Sequence, residues 1–135
     1  MSAQDQAKDW KAPPKRNAIN WFEIPVTDFE RARKFYGAIL DTEIQGMATP
    51  DGQIGFLPAG EGAVAGGILK SPQHTPSENG VFVYLNGGDD LNVILGRVEK
   101  AGGRVALPKL DVGDYGYIAR FRDTEGNLIS LHSMG

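Results

Sequence analysis

Residues 19–41, INWFEIPVTDFERARKFYGAILD, change hydrophobic period partway along, and this switch constrains the fold more than any other feature of the chain. Residues 19–26 are rich in β-branched and aromatic side chains, which predicts a strand. From Phe29 onward the apolar positions Phe29, Ala32, Phe35, Tyr36, Ile39 and Leu40 follow helical spacing. Asp28, directly ahead of them, is a residue type that caps helix N-termini by accepting a free backbone N–H. The pattern recurs further on. Residues 81–85, VFVYL, read as a strand, and Asp90 opens a second helix with apolar Leu91, Ile94, Leu95 and Val98 that ends at Ala101-Gly102-Gly103. Aligned on the two aspartates, Phe29 meets Leu91 and Ile44 falls near Val105, so one unit is used twice.

Each helix is followed by more strand signals. Residues 42–47, 53–57 and 63–69 predict three strands separated by Pro50-Asp51-Gly52 and Gly60-Glu61-Gly62, both turn-forming clusters. A polar, proline-containing link over 71–79 precedes the second set of strands at 104–108, 115–122 and 128–132. Asp123-Thr124-Glu125-Gly126-Asn127 forms the last hairpin turn, with Gly126 free to take positive φ. The fold class is therefore α+β, built as two βαβββ units over about 17–70 and 79–134 within a single domain of residues 17–135. A chain of 135 residues with 41% hydrophobic composition suits one domain and one core. Residues 1–16 are polar and carry Pro13-Pro14, which predicts a flexible N-terminal arm whose Trp10 could dock on a partner subunit.

Strand alternation assigns faces. Phe22, Ile24 and Val26 form one apolar set for the first helix to cover, which turns Trp21, Glu23 and Pro25 the other way. The same rule places Val81, Val83 and Leu85 beneath the second helix, with Phe82 and Tyr84 opposite. It also packs Ile129 and Leu131 inward and leaves Ser130 and His132 on the outer face. Arg120, within YIARFR, is suited to hold an anionic group by a forked hydrogen bond. Trp21, Glu23, Phe82, Tyr84, Arg120, Ser130 and His132 thus form the candidate ligand-binding set, an aromatic surface with a few polar groups. The net charge of −3 and pI near 5.3 give no basic face for nucleic acid. The chain has no cysteine, so disulfides and thiolate metal sites are excluded. No apolar run approaches the ~20 residues of a membrane span, and the N-terminus lacks the apolar core of a signal peptide, so a cytoplasmic protein is expected.

The strand with its Asp-capped helix, FYGAIL at the end of that helix and the closing DTEGNLISLH resemble the vicinal oxygen chelate superfamily, which groups glyoxalases, bleomycin-resistance proteins and extradiol dioxygenases. The likeness runs from Asn17 to Ser133. It implies curled mixed sheets that form an incomplete barrel with helices outside, and a homodimer. Metal-using members take one His or Glu ligand from the first and one from the last strand of each unit. Carried onto this chain, those positions fall on Trp21, Gly67, Gly80 or its neighbour, and Ser130. None of these is a His, Asp or Glu, so the usual divalent metal site is expected to be absent, with no cofactor. Glu23 and His132 each lie two positions beyond a ligand position. They are the candidate catalytic pair, with Glu23 orienting His132 as a general base.

Three functions fit these residues. The favoured one is a small-molecule-binding protein without metal, holding an aromatic or partly apolar ligand against Trp21, Phe82 and Tyr84. An alternative is a lyase, isomerase or dioxygenase with an atypical site using Glu23 and His132. A second alternative is a dimeric interaction module. Metal analysis separates the enzyme from the others, and a ligand-induced melting shift separates the binding protein from the module.

Overall fold

The computed structural model describes residues 17–135, so residues 1–16 and Trp10 lie outside the described residues. The first unit comprises β1 (Trp21–Pro25), α1 (Phe29–Ile39), β2 (Gln45–Thr49), β3 (Gly52–Phe56) and β4 (Ala65–Lys70). The second comprises β5 (Tyr84–Asn86), α2 (Asn92–Val98), β6 (Arg104–Asp111), β7 (Tyr117–Arg122) and β8 (Leu128–Ser133). Helix α1 begins as its sequence implies: the Asp28 carboxylate accepts the Arg31 amide at 3.1 Å. That bond satisfies one of the N–H groups a helix start leaves free.

Each unit forms a four-stranded mixed sheet, in the orders β1-β4-β3-β2 and β5-β8-β7-β6, and neither closes into a barrel. In both, the first strand pairs in parallel with the last, Glu23 beside Gly67 and Tyr84 beside Ser130. The remaining pairings are antiparallel. Gly66 permits the β1–β4 pairing to pack closely, because a Cβ there would collide with the Phe22 ring.

The two units share one core. Helix α1 buries Phe29, Ala32, Phe35, Tyr36 and Ile39. Phe29 lies against Gly46 and Gly55 of the first sheet, whereas the Phe35 ring sits 5.8 Å from Phe121 of the second. Ile24 and Val26 are buried as alternation predicts, with Phe22 packed against the cluster, and Ile129 and Leu131 close it from the other sheet.

Several boundaries differ from expectation, among them β2, which runs over Gln45–Thr49 where 42–47 is expected. Regular strand begins only at Tyr84, and Val81 is 93% exposed instead of lying beneath α2. The cause is length: α2 has seven residues, about 10 Å of helix, enough to cover Leu85 but not Val81. Helix α2 is correspondingly shorter than the Asp90–Ala101 run. Asp90 instead accepts the Asn92 amide and the Lys109 ammonium ahead of the helix. Strand β6 runs past Pro108 to Asp111, which its place at a sheet edge allows, with register shifts on either side of Leu107.

The closing turn fastens the units together. Asp123 accepts the Tyr36 hydroxyl at 2.6 Å and the amides of Glu125 and Asn127 at 2.8 and 2.9 Å. Asn127 Nδ2 donates to the Pro25 carbonyl at 2.7 Å and to Asp123 at 2.9 Å. Glu125 accepts the amides of Thr27 and Asp28 at 2.9 and 2.7 Å, the Arg31 Nε–H at 2.6 Å and the Thr124 hydroxyl at 2.9 Å. Gly126, at φ 95°, lets the chain turn tightly enough to present these groups together.

Burial, followed by the charge and hydrogen bond of Asp123, raises the Tyr36 phenol well above its ordinary 10.0. A group whose folded value is raised contributes stability fully below its unfolded value and loses it as pH climbs beyond. Thermal melts between roughly pH 8 and 11 are therefore expected to show an alkaline decline that Tyr36→Phe flattens. At neutral pH the same substitution is expected to cost about 1–2 kcal/mol for the lost hydrogen bond.

Candidate functional site

The sheet faces turned away from α1 and α2 carry the candidate residues. On the first sheet, register aligns Glu23, Gly67, Phe56 and Gln45 in one row and Pro25, Leu69, Ile54 and Met47 in the next. Trp21 meets Phe56 edge-on, with ring centroids 6.2 Å apart. Trp21, Phe56 and Met47 are exposed, an apolar surface with no cover among the described residues.

On the second sheet, the row Leu107, Arg120, Ser130, Tyr84 crosses all four strands. Arg120 is half-buried and lies along it. Its Nε–H donates to Ser130 Oγ at 3.3 Å, its Nη2 donates to the Tyr84 hydroxyl at 3.4 Å, and its Cζ stands 5.2 Å from the centre of the Phe82 ring. Ser130 is fully buried beneath it. The guanidinium is thus fixed by two hydroxyls and an aromatic face, which offset part of its desolvation.

His132 sits in the next row, between Ile118 and Asn86. Its Nε2 is 2.6 Å from the Tyr115 carbonyl oxygen. A carbonyl only accepts, so Nε2 carries the proton and Nδ1 is left as the basic nitrogen. Glu23 stands on the other sheet, and within the described residues no hydrogen bond joins it to His132. The structure therefore brings Phe82, Tyr84, Arg120 and Ser130 into one cluster, sets His132 beside it, and places Trp21 and Glu23 on the opposite unit.

A groove of about 1110 Å³ runs between the free edges of β1 and β5, with Phe22, Leu40, Leu57, Leu85 and Ile94 along its walls. Trp21, Phe82 and Tyr84 stand at its border, so the groove connects the two outer faces at their aromatic residues.

Compared with known proteins, residues 18–131 match the family model for the Glyoxalase/Bleomycin resistance protein/Dioxygenase superfamily. The chain belongs to this superfamily. A protein of Mycobacterium bovis described as a candidate glyoxylase is 26% identical over 138 residues, covering 87% of this chain and 48% of its own length. The chain thus spans about half the length of that curated relative. Among solved structures, a glyoxalase/bleomycin resistance protein from Albidiferax ferrireducens superposes with a TM-score of 0.68 at 22% identity, covering 85% of this chain and 97% of that one. An antibiotic-binding protein from a Streptomyces species superposes with a TM-score of 0.60 at 23% identity, covering 87% and 96%.

For this superfamily member, the residues at the expected ligand positions do not fit a divalent metal. Trp21 offers an indole, Gly67 is buried in the sheet with a Gly55 carbonyl where its Cβ would be, and Gly80 lies in an exposed loop. The Ser130 hydroxyl is held by a guanidinium, whose charge repels a cation. Among the described residues no three His, Cys, Asp or Glu side chains gather so as to hold a metal ion. No helix among them is long and apolar enough to cross a membrane.

Sequence reasoning missed two sets of residues. Phe56 and Leu107 line the outer faces, and alternation within β3 and β6 carries that signal, weakened at Leu107 by the register shifts around it. Asp123, Glu125 and Asn127 read as a turn only. Nothing local to that segment points to the start of α1, nearly a hundred residues earlier in the chain.

Proposed function

We propose that this chain is a small-molecule-binding protein of the glyoxalase and bleomycin-resistance type that works without a divalent metal and as a homodimer. The observation that carries this reading is the site composition: Trp21, Phe82 and Tyr84 border an apolar groove of about 1110 Å³, while the expected ligand positions hold an indole, two glycines and a serine already bonded to Arg120. Stacking walls with few polar groups suit a planar or partly apolar ligand. The likeness to an antibiotic-binding protein supports the scaffold's suitability for such a role. Dimerisation is supported by exposed apolar residues on both outer faces, Trp21, Met47 and Phe56 on one and Phe82, Tyr84 and Leu110 on the other. A second copy that lays one kind of face over the other would cover both sets and enclose the ligand.

The enzymatic reading has less support. Glu23, the residue expected to orient His132, stands on the other sheet, and among the described residues no hydrogen bond joins the two. Elemental analysis of the purified protein is the first test, together with melts in the presence of chelator and of planar aromatic compounds. The expected result is no stoichiometric Zn, Ni, Mn or Fe, a melting temperature indifferent to chelator, and a rise with at least one aromatic compound. About one tightly bound transition metal per chain would overturn the proposal and favour a metal enzyme. Light scattering at micromolar concentration is expected to return the mass of two chains.

A further inference from the structure

The geometry points to Arg120 as a carboxylate receptor that restricts the proposed binding site to planar organic acids, an inference that rests on the small-molecule reading above. The starting observation is an uncompensated charge. Among the described residues, Arg31, Arg33, Lys109 and Arg122 each form an ion pair with a carboxylate. Arg120 forms none, although it is half-buried and two of those four cations, Arg31 and Arg122, are more exposed than it is. Among the described residues its only hydrogen-bond partners are the hydroxyls of Ser130 and Tyr84, at 3.3 and 3.4 Å. Both bonds are long, and both go to neutral groups. The Phe82 face and the two hydroxyls offset part of the cost of half-burying this cation, and an anion on its free N–H groups would offset more.

The arrangement also fixes how an anion would approach. Nε and one Nη2 hydrogen are spent on the hydroxyls, so both Nη1 hydrogens are without a partner among the described residues. The planar fork is held from below by fully buried Ser130 and from one side by the Phe82 ring at 5.2 Å. It is therefore oriented before any ligand arrives, which reduces the ordering entropy that binding must offset. Arg122, on the same strand and face, is engaged by Glu78, which leaves Arg120 as the one cation of β7 without a carboxylate partner among the described residues. Phe82 and Tyr84 flank it, border the apolar groove and offer rings for an aromatic body to stack on. A carboxylate joined to a planar ring satisfies the free fork and the flanking rings at once.

The test uses matched probes, 1-naphthoate and 1-naphthamide, which share shape and differ in charge. Calorimetric titration of the full chain is expected to show naphthoate binding on the order of tenfold tighter or more, the usual worth of a hydrogen bond to a charged group. Added salt should weaken naphthoate and leave naphthamide unchanged. Arg120→Met should abolish the preference, leaving the two probes with similar affinity, and an unchanged circular dichroism spectrum shows that the variant is folded. Arg120→Lys should keep a part of the preference, because it restores charge but not the fork. Equal binding of both probes by the unmodified chain, or a preference that survives in Arg120→Met, would overturn the carboxylate role and leave the binding-protein reading intact. If neither probe binds, the reading of the face as a planar-ligand site fails, and the carboxylate role falls with it.

Discussion

Glu125→Ala is expected to destabilise the protein by about 3–5 kcal/mol, because it removes the buried acceptor of two backbone amides, each costing about 1–3 kcal/mol when left unsatisfied, and of the exposed Arg31 guanidinium. The Glu125 carboxylate is fully buried and joins the last hairpin of the second unit to the β1–α1 junction of the first. Its loss strands the Thr27 and Asp28 amides at a helix start, where little else can reach them. Against the 5–15 kcal/mol of a typical domain, such a cost lowers the melting temperature by roughly 10 °C or more. The pH profile gives a second reading. Burial raises the Glu125 pKa, but hydrogen bonds from Arg31, the Asp28 amide, Thr124 and the Thr27 amide outweigh it and hold the group below its ordinary 4.5. A lowered folded value means the contribution is complete above pH 4.5 and disappears as pH falls from there through the folded value. Melts across that acid range should decline less steeply in Glu125→Gln than in the unmodified chain. An equal decline would show that other carboxylates govern acid unfolding.

Phe121→Ala should cost a comparable 3–5 kcal/mol, through lost transfer free energy and the cavity left behind. Phe121 is fully buried on β7 and touches the rings of Phe35 and Tyr36 at centroid distances of 5.8 and 6.5 Å. Those rings belong to the first unit's helix, so the cavity would open at the seam between units. Phe121→Leu keeps most of the volume and is expected to cost less than about 1.5 kcal/mol. Because one core serves both units, calorimetry of either variant should show a single, lower transition. Two separated transitions would mean that each unit folds on its own core, contrary to the packing described above.

What could be read in the residues followed from local periodicity. The switch from period two to helical spacing at Asp28 located α1, its cap and its buried face, because those depend on neighbours within one turn. Alternation placed Ile24, Val26, Ile129 and Leu131 in the core and Trp21, Tyr84 and Ser130 on the opposite faces. It failed at Val81, since burial there depends on how far α2 extends, a length that the apolar pattern overstated. Chain proximity also gave Arg120 no partners, although its residue type marked it as an anion holder. Only the pairing of β5, β7 and β8 sets its guanidinium between Tyr84, Ser130 and Phe82. The same holds for the clasp formed by Asp123, Glu125 and Asn127, which reads as a turn because its partners Pro25, Thr27, Arg31 and Tyr36 lie in the other unit. Periodicity reports which face of an element is apolar. It carries no information on which distant element that face, or a polar group beside it, will meet, and that choice is made when the two units pack into one core.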